Sequence, residues 1–490
     1  MYFFFWRAIS WPLKSTGNQI GSGRHKKRIK RDHYNINDSS TITPNLSEDV
    51  VEKILSFLPI KYAARCGVLS TRFKNSWLRN PNFIFDLDFA VGRSRGNFVR
   101  AVNRIFNQHS GSHIRRFRLY FDPTDIEAIV ECWVHMVTSK GVEEVDLDFT
   151  QGDEPFNLPY HLLEFESIRI LKLNFCRFEL PPKLKGLCFL KTIVLRQVNV
   201  TSALIATIFS NCLCLEDIDV VQCSGIYHLN IVAQELKKFR RFVVGDCKDI
   251  CLIDIDAPTL STFYYRGESP AINFMTQMRH LKDVILNFTP VRGFPHLYSM
   301  SNLMLRLSVS NIEVLRISTT FLERLSSKFK NGTYSKIHFL LLNLKEFHLF
   351  TDGAIANINP YDIVSLLKNC LYVERVFLDL GEYSFEYGYY WEMLGKQMFE
   401  NCDANFFQLK LLIVKGFKFE NLELEMLKFF LNKAGVLDSV ALVPSKNWRS
   451  GVFTREAHDM YNQLFDSWKV SPNAKISILK SIMLINVWLF

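Results

Sequence analysis

The nine residues from Ile168 to Cys176, IRILKLNFC, decide how this chain folds. Ile168, Leu171 and Leu173 are apolar at steps of three and two. The last two lie two apart, on one side of a short strand, while Lys172 and Asn174 point the other way. One such stretch means little, but the spacing occurs thirteen times from about residue 110 onward. It is read at Ile114-Phe117-Leu119, Val142-Val145-Leu147, Leu190-Ile193-Leu195, Leu215-Ile218-Val220, Phe239-Phe242-Val244 and Leu260-Phe263-Tyr265. It continues at Leu281-Val284-Leu286, Ile312-Leu315-Ile317, Leu344-Phe347-Leu349, Val373-Val376-Leu378, Leu409-Leu412-Val414 and Leu437-Val440-Leu442. A pattern repeated along a chain predicts a solenoid, in which each unit packs on its neighbours and the strands stack into one parallel sheet.

The spacing resembles that of leucine-rich repeats. Cys176, Cys223 and Cys247 each fall three residues after the last apolar position, where such repeats bury an Asn or Cys, so these thiols are read as core. Thr201 to Cys212, with Leu204, Ile205 and Ile208, and Pro360 to Cys370, with Ile363, Val364, Leu366 and Leu367, read as convex-side helices. The outward strand residues form the concave face. There we place the target-binding candidates Arg116, Arg118, Asp146, Lys172, Arg196 and Asp219, with Tyr120, Asp148, Asn174, Val194, Asp217, Arg375, Phe377 and Asp379 beside them. Their signs alternate between units, which favours a protein partner over a uniformly charged polymer.

A second stretch, Leu46 to Trp77, reads LSEDVVEKILSFLPIKYAARCGVLSTRFKNSW. Val50, Val51, Ile54, Leu55, Phe57 and Leu58 recur at helical steps over a side too wide for so short a helix. Ser47 is placed to cap it, Glu48 and Asp49 suit its positive end, and Pro59 stops it. Further short helices are expected from about Lys61 to Cys66 and from about Ser70 to Leu78. Three helices in so few residues leave apolar side chains to pack on the next domain or to dock a partner.

Leu46, Glu48, Asp49, Ile54-Leu55, Leu58-Pro59, Arg65-Cys66, Leu69-Ser70, Arg72 and Trp77 follow the order and spacing of the plant-type F-box, which the stretch resembles. Ser47 stands where that family usually has proline, and Phe73 where it has tryptophan. The resemblance implies binding of a Skp1-type adapter through Leu46, Ile54, Leu55, Leu58, Pro59, Val68, Leu69 and Trp77, and through the adapter a cullin-RING ubiquitin ligase. The solenoid would then hold an as yet unnamed protein substrate. The open alternative is a repeat scaffold with a degenerate F-box, outside ubiquitin chemistry.

After Leu344 the runs Asn343 to Phe347, Leu366 to Cys370, Leu409 to Leu412, Lys415 to Phe417 and Glu423 to Leu431 resemble the FBD region of plant F-box/FBD/LRR-repeat proteins. The expected fold class is α/β: a short three-helix F-box, then an irregular leucine-rich-repeat solenoid with a parallel sheet and convex-side helices. The expected divisions are a disordered basic arm (1–44), the F-box (45–82), the repeats (110–340), an FBD-like region (341–450) and a C-terminal cap or extension (451–490).

Of the net charge of +10, residues 1–45 carry +6, from eight Lys or Arg against two Asp. The remaining +4 is too small, over so long a body, to argue for nucleic-acid binding. The basic run Arg24 to Arg31 reads as a solvated arm, compatible with a nuclear localisation signal. The aromatic start and the terminal Ile476 to Phe490 are both too short for a membrane span. Eleven cysteines with no leader read as reduced thiols of a nuclear or cytoplasmic protein. No phosphate loop, HExxH, nucleophile elbow or paired CxxC motif occurs, so no catalytic residue, metal site or cofactor is expected. Lone histidines such as His348 are read as solvated strand residues.

Overall fold

The computed structural model describes residues 47–68, 73–177, 179, 186–289, 297–330, 339–351, 360–381, 405–445 and 455–479. Among them, fifteen strands form one sheet in chain order, from Asn82–Phe85 to Lys475–Ile478. Every neighbouring pair runs parallel. The second position of each of the thirteen repeats is stacked in register on the next, from Phe117 on Val145 and Leu171 through Ile193, Ile218, Phe242, Phe263 and Val284 to Leu315, Phe347, Val376, Leu412 and Val440. All thirteen side chains are at most 1% exposed. Each such burial contributes about 1.5–3 kcal/mol.

The ladder is one strand longer at each end than the thirteen-fold pattern. Phe83 pairs with Phe117 at the start, and Ile476 pairs with Val440 at the end. The helical returns stand where expected: Thr201 Oγ1 accepts from Leu204 N at 3.1 Å to cap the helix Ser202–Asn211, and a helix spans Pro360–Leu367. The apolar stripes of both face the core. Between Ile218 and Val284 three successive units are only 21–24 residues long. Here the returns are strands instead. His228–Val232, Leu252–Asp256 and Ala271–Phe274 make a second, three-stranded parallel sheet, because so little chain closes the turn more easily extended than coiled.

The cysteine positions have a backbone cause. Phe175, Gln197, Gln222 and Asp246, each one residue past a strand end, take left-handed conformations with φ of 59°, 49°, 54° and 52°. That corner turns the next residue inward. Cys176 Sγ donates to Asn174 O at 3.5 Å, Cys223 Sγ to Val221 O at 3.4 Å and Cys247 Sγ to Gly245 O at 3.4 Å. All three thiols are buried, and burial pushes that of Cys176 far above its ordinary range.

The N-terminal unit consists of α1 (Glu48–Leu55), α2 (Ile60–Cys66) and a 3₁₀ turn at Ser76–Arg79. Of the expected third helix from about Ser70 to Leu78, the described residues show this 3₁₀ turn at its C-terminal end; Leu69 to Arg72 lie outside the described residues, as does Leu46. Ser47 occupies the N-cap position of α1, but its side chain makes no capping bond. It stands exposed, which leaves the first N–H groups to water and to the acidic first turn. Val51, Leu55 and Ala63 form the interior of the unit, with Leu58, Cys66, Phe73 and Trp77 against them, while Ile60 and Trp77 reach the solenoid core.

Asn80 joins the two bodies. Its buried Nδ2 donates to Leu58 O at 3.1 Å and, beside the bond from Leu58 N, to Leu55 O at 2.8 Å, tying down the carbonyls where α1 ends. Asn82 Nδ2 also donates to Ser56 O. Replacing Asn80 with alanine orphans the Leu58 carbonyl and leaves Leu55 O only its bond from Leu58 N. We expect a loss of about 1–3 kcal/mol per unpaired buried group, read by hydrogen exchange as earlier opening of residues 47–68; unchanged protection there would refute the role.

Near the other end, Glu423, in the first turn of the helix Asn421–Lys433, accepts from Lys418 N at 2.6 Å and Glu420 N at 3.4 Å. It is 1% exposed, and burial pushes its carboxyl up to about 7 from an ordinary 4.5. A carboxyl raised in the folded state contributes stability that is complete below pH 4.5 and is lost as pH rises through about 7. Glu423→Gln should remove up to about 3 kcal/mol of that slope. Urea midpoints of parent and variant at pH 5 and pH 8 measure it, and parallel shifts would count against it.

Candidate functional site

Two surfaces stand out, one on each body. On the N-terminal unit, α1 and the turn after it divide their apolar residues between two sides. Val51 and Leu55 are 4% and 2% exposed, whereas Val50, Ile54 and Phe57 are 43%, 47% and 69% exposed. Val68 is also exposed, Leu58 and Pro59 are half-buried, and Trp77 is half-buried against the interior. Of the eight residues read as adapter-binding, Ile54, Leu58, Pro59 and Val68 thus reach the surface, and Leu55 lies beneath them. Val50 and Phe57 join the exposed group. The frame under this patch is pinned by Arg79–Glu52 at 2.7 Å, Lys61–Asp88 at 3.0 Å and Tyr62 Oη to Asp88 Oδ2 at 2.8 Å.

The second surface is the concave face of the main sheet, where the parallel register aligns outward residues in three rows. Arg118, Asp146, Lys172, Val194 and Asp219 stand side by side in the middle row, with Arg116 and Arg196 in the flanking rows. The structure therefore brings all six target-binding candidates to one face. Their charges answer one another across neighbouring strands: Arg116–Glu144 at 2.6 Å, Arg118–Asp146 at 2.8 Å, Lys172–Glu144 at 3.4 Å and Arg241–Asp219 at 2.6 Å. Arg316–Asp283, Arg375–Glu346 and Lys415–Asp379 continue the series at 2.7, 2.6 and 2.6 Å. Pairs this open contribute roughly 0–1 kcal/mol each, so their effect is to hold side chains in place rather than to stabilise the fold. The sequence carried this signal, since Arg116 and Glu144, and Arg118 and Asp146, occupy the same repeat position one unit apart.

His348 departs from the sequence reading. It lies on this face but is 2% exposed, with its ring stacked on Phe377 at 4.4 Å and its Nε2 2.5 Å from Glu346 Oε1. The stacked ring removes water that a lone strand histidine would meet. Burial lowers the His348 pKa, while the hydrogen bond from His348, with Arg375 assisting, holds the Glu346 carboxyl down at about 2. Among the described residues no group of His, Cys, Asp and Glu could hold a metal ion, and no helix is long and apolar enough to cross a membrane.

Comparison with known proteins accounts for both bodies. The profile of the family described as the At1g61320/AtMIF1 LRR domain matches residues 105–478, and the F-box domain profile matches residues 44–85. The chain is a member of the plant F-box/FBD/LRR-repeat family. The FBD-associated F-box protein At1g61320 of Arabidopsis thaliana is 32% identical over 415 residues, 83% of this chain and 90% of that protein. The F-box/FBD/LRR-repeat proteins At1g78750 and At1g13570 of the same plant are 25% and 27% identical, over 57% and 44% of this chain and 66% and 51% of their own lengths. An F-box joined to a leucine-rich-repeat domain is the arrangement of F-box proteins in ubiquitination, which in general act as non-catalytic adaptors.

Proposed function

We propose that this chain is the substrate-recognition subunit of a Skp1-cullin-F-box ubiquitin ligase, acting in the nucleus or cytoplasm. The outward side of α1, with Val50 and Ile54, together with Phe57, Leu58 and Pro59 in the turn after it and Val68 beyond α2, docks the Skp1-type adapter, and Leu55 and Trp77 hold that patch from behind. The concave face holds the target protein. The observation that carries the reading is the split helix: three large apolar side chains face solvent on a unit whose own interior is already filled. The family profile over residues 44–85 supports the same partner.

The chain supplies geometry rather than chemistry. Asn80 and Trp77 fix the docking unit to the first strand, so adapter and target are held at a set separation. A target lysine is thereby kept at high effective concentration near a ubiquitin-charged conjugating enzyme carried by the ligase. The test is reconstitution: the intact chain should co-purify with a Skp1-type adapter and a cullin-RING pair, and the assembly should ubiquitinate a protein bound to the solenoid. Failure of the intact chain to bind any Skp1-type adapter would remove the reading.

A further inference from the structure

The concave face has one place where its charged rows open onto an apolar floor. Val243, Tyr264 and Ile285 occupy the middle row on three successive strands, Arg241–Gly245, Thr262–Gly267 and Asp283–Phe288. Val243 and Ile285 are only 7% and 6% exposed although they face the open side of the sheet, so the floor is sunk below its surroundings. Gly245 extends the floor by having no side chain. The result is a hollow of about 320 Å³, at the small end of the range for ligand sites. It is too small for a helix and large enough for one bulky side chain.

Its rim is cationic on two opposite sides. Arg241 stands at the entry end of its strand and Arg266 near the exit end of the next. The acids nearby are already engaged: Asp219 by Arg241 at 2.6 Å, Asp246 by Arg266 at 3.2 Å and Asp283 by Arg316 at 2.7 Å. Arg266 keeps donors in reserve. Its approach to Asp246 is a charge contact through Nε, an atom with no hydrogen-bond partner among the described residues, and its two terminal nitrogens have no described acceptor.

We propose that this hollow receives an aromatic side chain from an extended segment of the target protein, with an acidic residue next to it paired to Arg266. This deepens the receptor reading above and rests on it. The floor requires an apolar occupant, because a polar group there would lose water without gaining a partner. The arginines select a ring over a branched aliphatic chain, because the negative faces of an aromatic attract guanidinium groups and an aliphatic surface only desolvates them. The acid follows from the remaining Arg266 donors, which match a carboxylate bidentately.

The test uses the intact chain purified with a Skp1-type adapter. The probes are fluorescent Gly/Ser peptides with one central Trp, Phe, Leu or Lys, followed by Glu or by Lys. Trp-Glu and Phe-Glu peptides should bind at least about 10-fold tighter than Leu-Glu, and Trp-Lys should fall back towards Leu-Glu. Gly245→Leu fills the hollow from its floor; the added Cβ meets only Val221 side-chain atoms, at 3.5 Å and beyond, so the backbone has room for it. It should cost at least about 10-fold in Trp-Glu binding while adapter capture is unchanged. Arg266→Glu, a half-exposed rim position, should invert the preference to Trp-Lys. Equal binding of leucine and aromatic peptides, no binding of any peptide by the parent, or full binding by Gly245→Leu would each overturn the proposal. Loss of adapter by the parent would instead overturn the receptor reading and leave the peptide result standing.

Discussion

Ile54→Asp combined with Phe57→Asp should abolish capture of a Skp1-type adapter while leaving the melting temperature of the chain almost unchanged. Ile54 lies on the outward side of α1 and Phe57 in the turn that follows it, 47% and 69% exposed, so neither supports the interior. Surface changes of this kind usually stay within about 0.5 kcal/mol. In a docked complex the same positions would be desolvated, and each aspartate would place a carboxylate without a partner against apolar surface. A central anchor lost from an interface costs about 2 kcal/mol or more, so two of them predict a fall of roughly 1,000-fold. Leu55→Asp, one residue along the helix, should behave in the opposite order. At 2% exposure it puts the charge among Val51, Ala63 and Trp77, and the unit opens before the adapter is met. Pull-down with purified adapter, read beside thermal melts, separates the two. If the exposed pair melts the protein, or leaves binding intact, α1 does not present its outward face to the adapter.

The repeat was legible because a solenoid writes its core into the chain at regular steps, and each of the thirteen second positions stacks on its neighbour as the spacing requires. The two strands that were missed fail at the same place in the pattern. Phe83 and Phe85 lie two apart, as do Ile476 and Ile478, but the position three residues before each pair is Asn80 and Asn473. Asn80 has a reason to be polar, since it binds the carbonyls of the N-terminal unit. An end of the ladder meets something other than another repeat, so its sequence stops resembling one.

The surfaces were less legible than the core. Alternation along a single strand told which residues point outward; that Arg118 answers Asp146 emerges only when one repeat is aligned on the next, and that Phe377 covers His348 only in the folded stack. Those facts depend on register between strands far apart in the chain. The same limit hid the hollow, because Val243, Tyr264 and Ile285 become neighbours only when three units stack. On α1 and the turn after it, helical periodicity gave one wide apolar side; the division into a buried pair and an exposed trio follows from where α2 and Trp77 come to rest.

Trp133→Ala should destabilise the N-terminal end of the solenoid by about 3–5 kcal/mol, the cost of removing a large buried aromatic. Trp133, on the helix Glu127–Ser139, is fully buried, and its Nε1 donates to Asn103 Oδ1 at 2.7 Å on the helix Arg95–Gln108. Its ring lies parallel to Phe106 at 6.4 Å and edge-on to Phe121 at 6.1 Å. Through Phe106 it reaches Phe83 and Phe85, the strand on which the adapter-docking unit rests. Alanine leaves a cavity among these rings and strips Asn103 of its donor. In a solenoid each unit is supported by its neighbours alone, so the damage should remain local. Amide exchange should therefore rise across residues 82–148 while the strands from Val314 to Val443 keep their protection, and adapter capture should weaken without any change on α1 itself. A uniform loss of protection over the whole ladder would show instead that the fifteen strands open as one cooperative body. The docking unit and the concave face would then share a single stability rather than two.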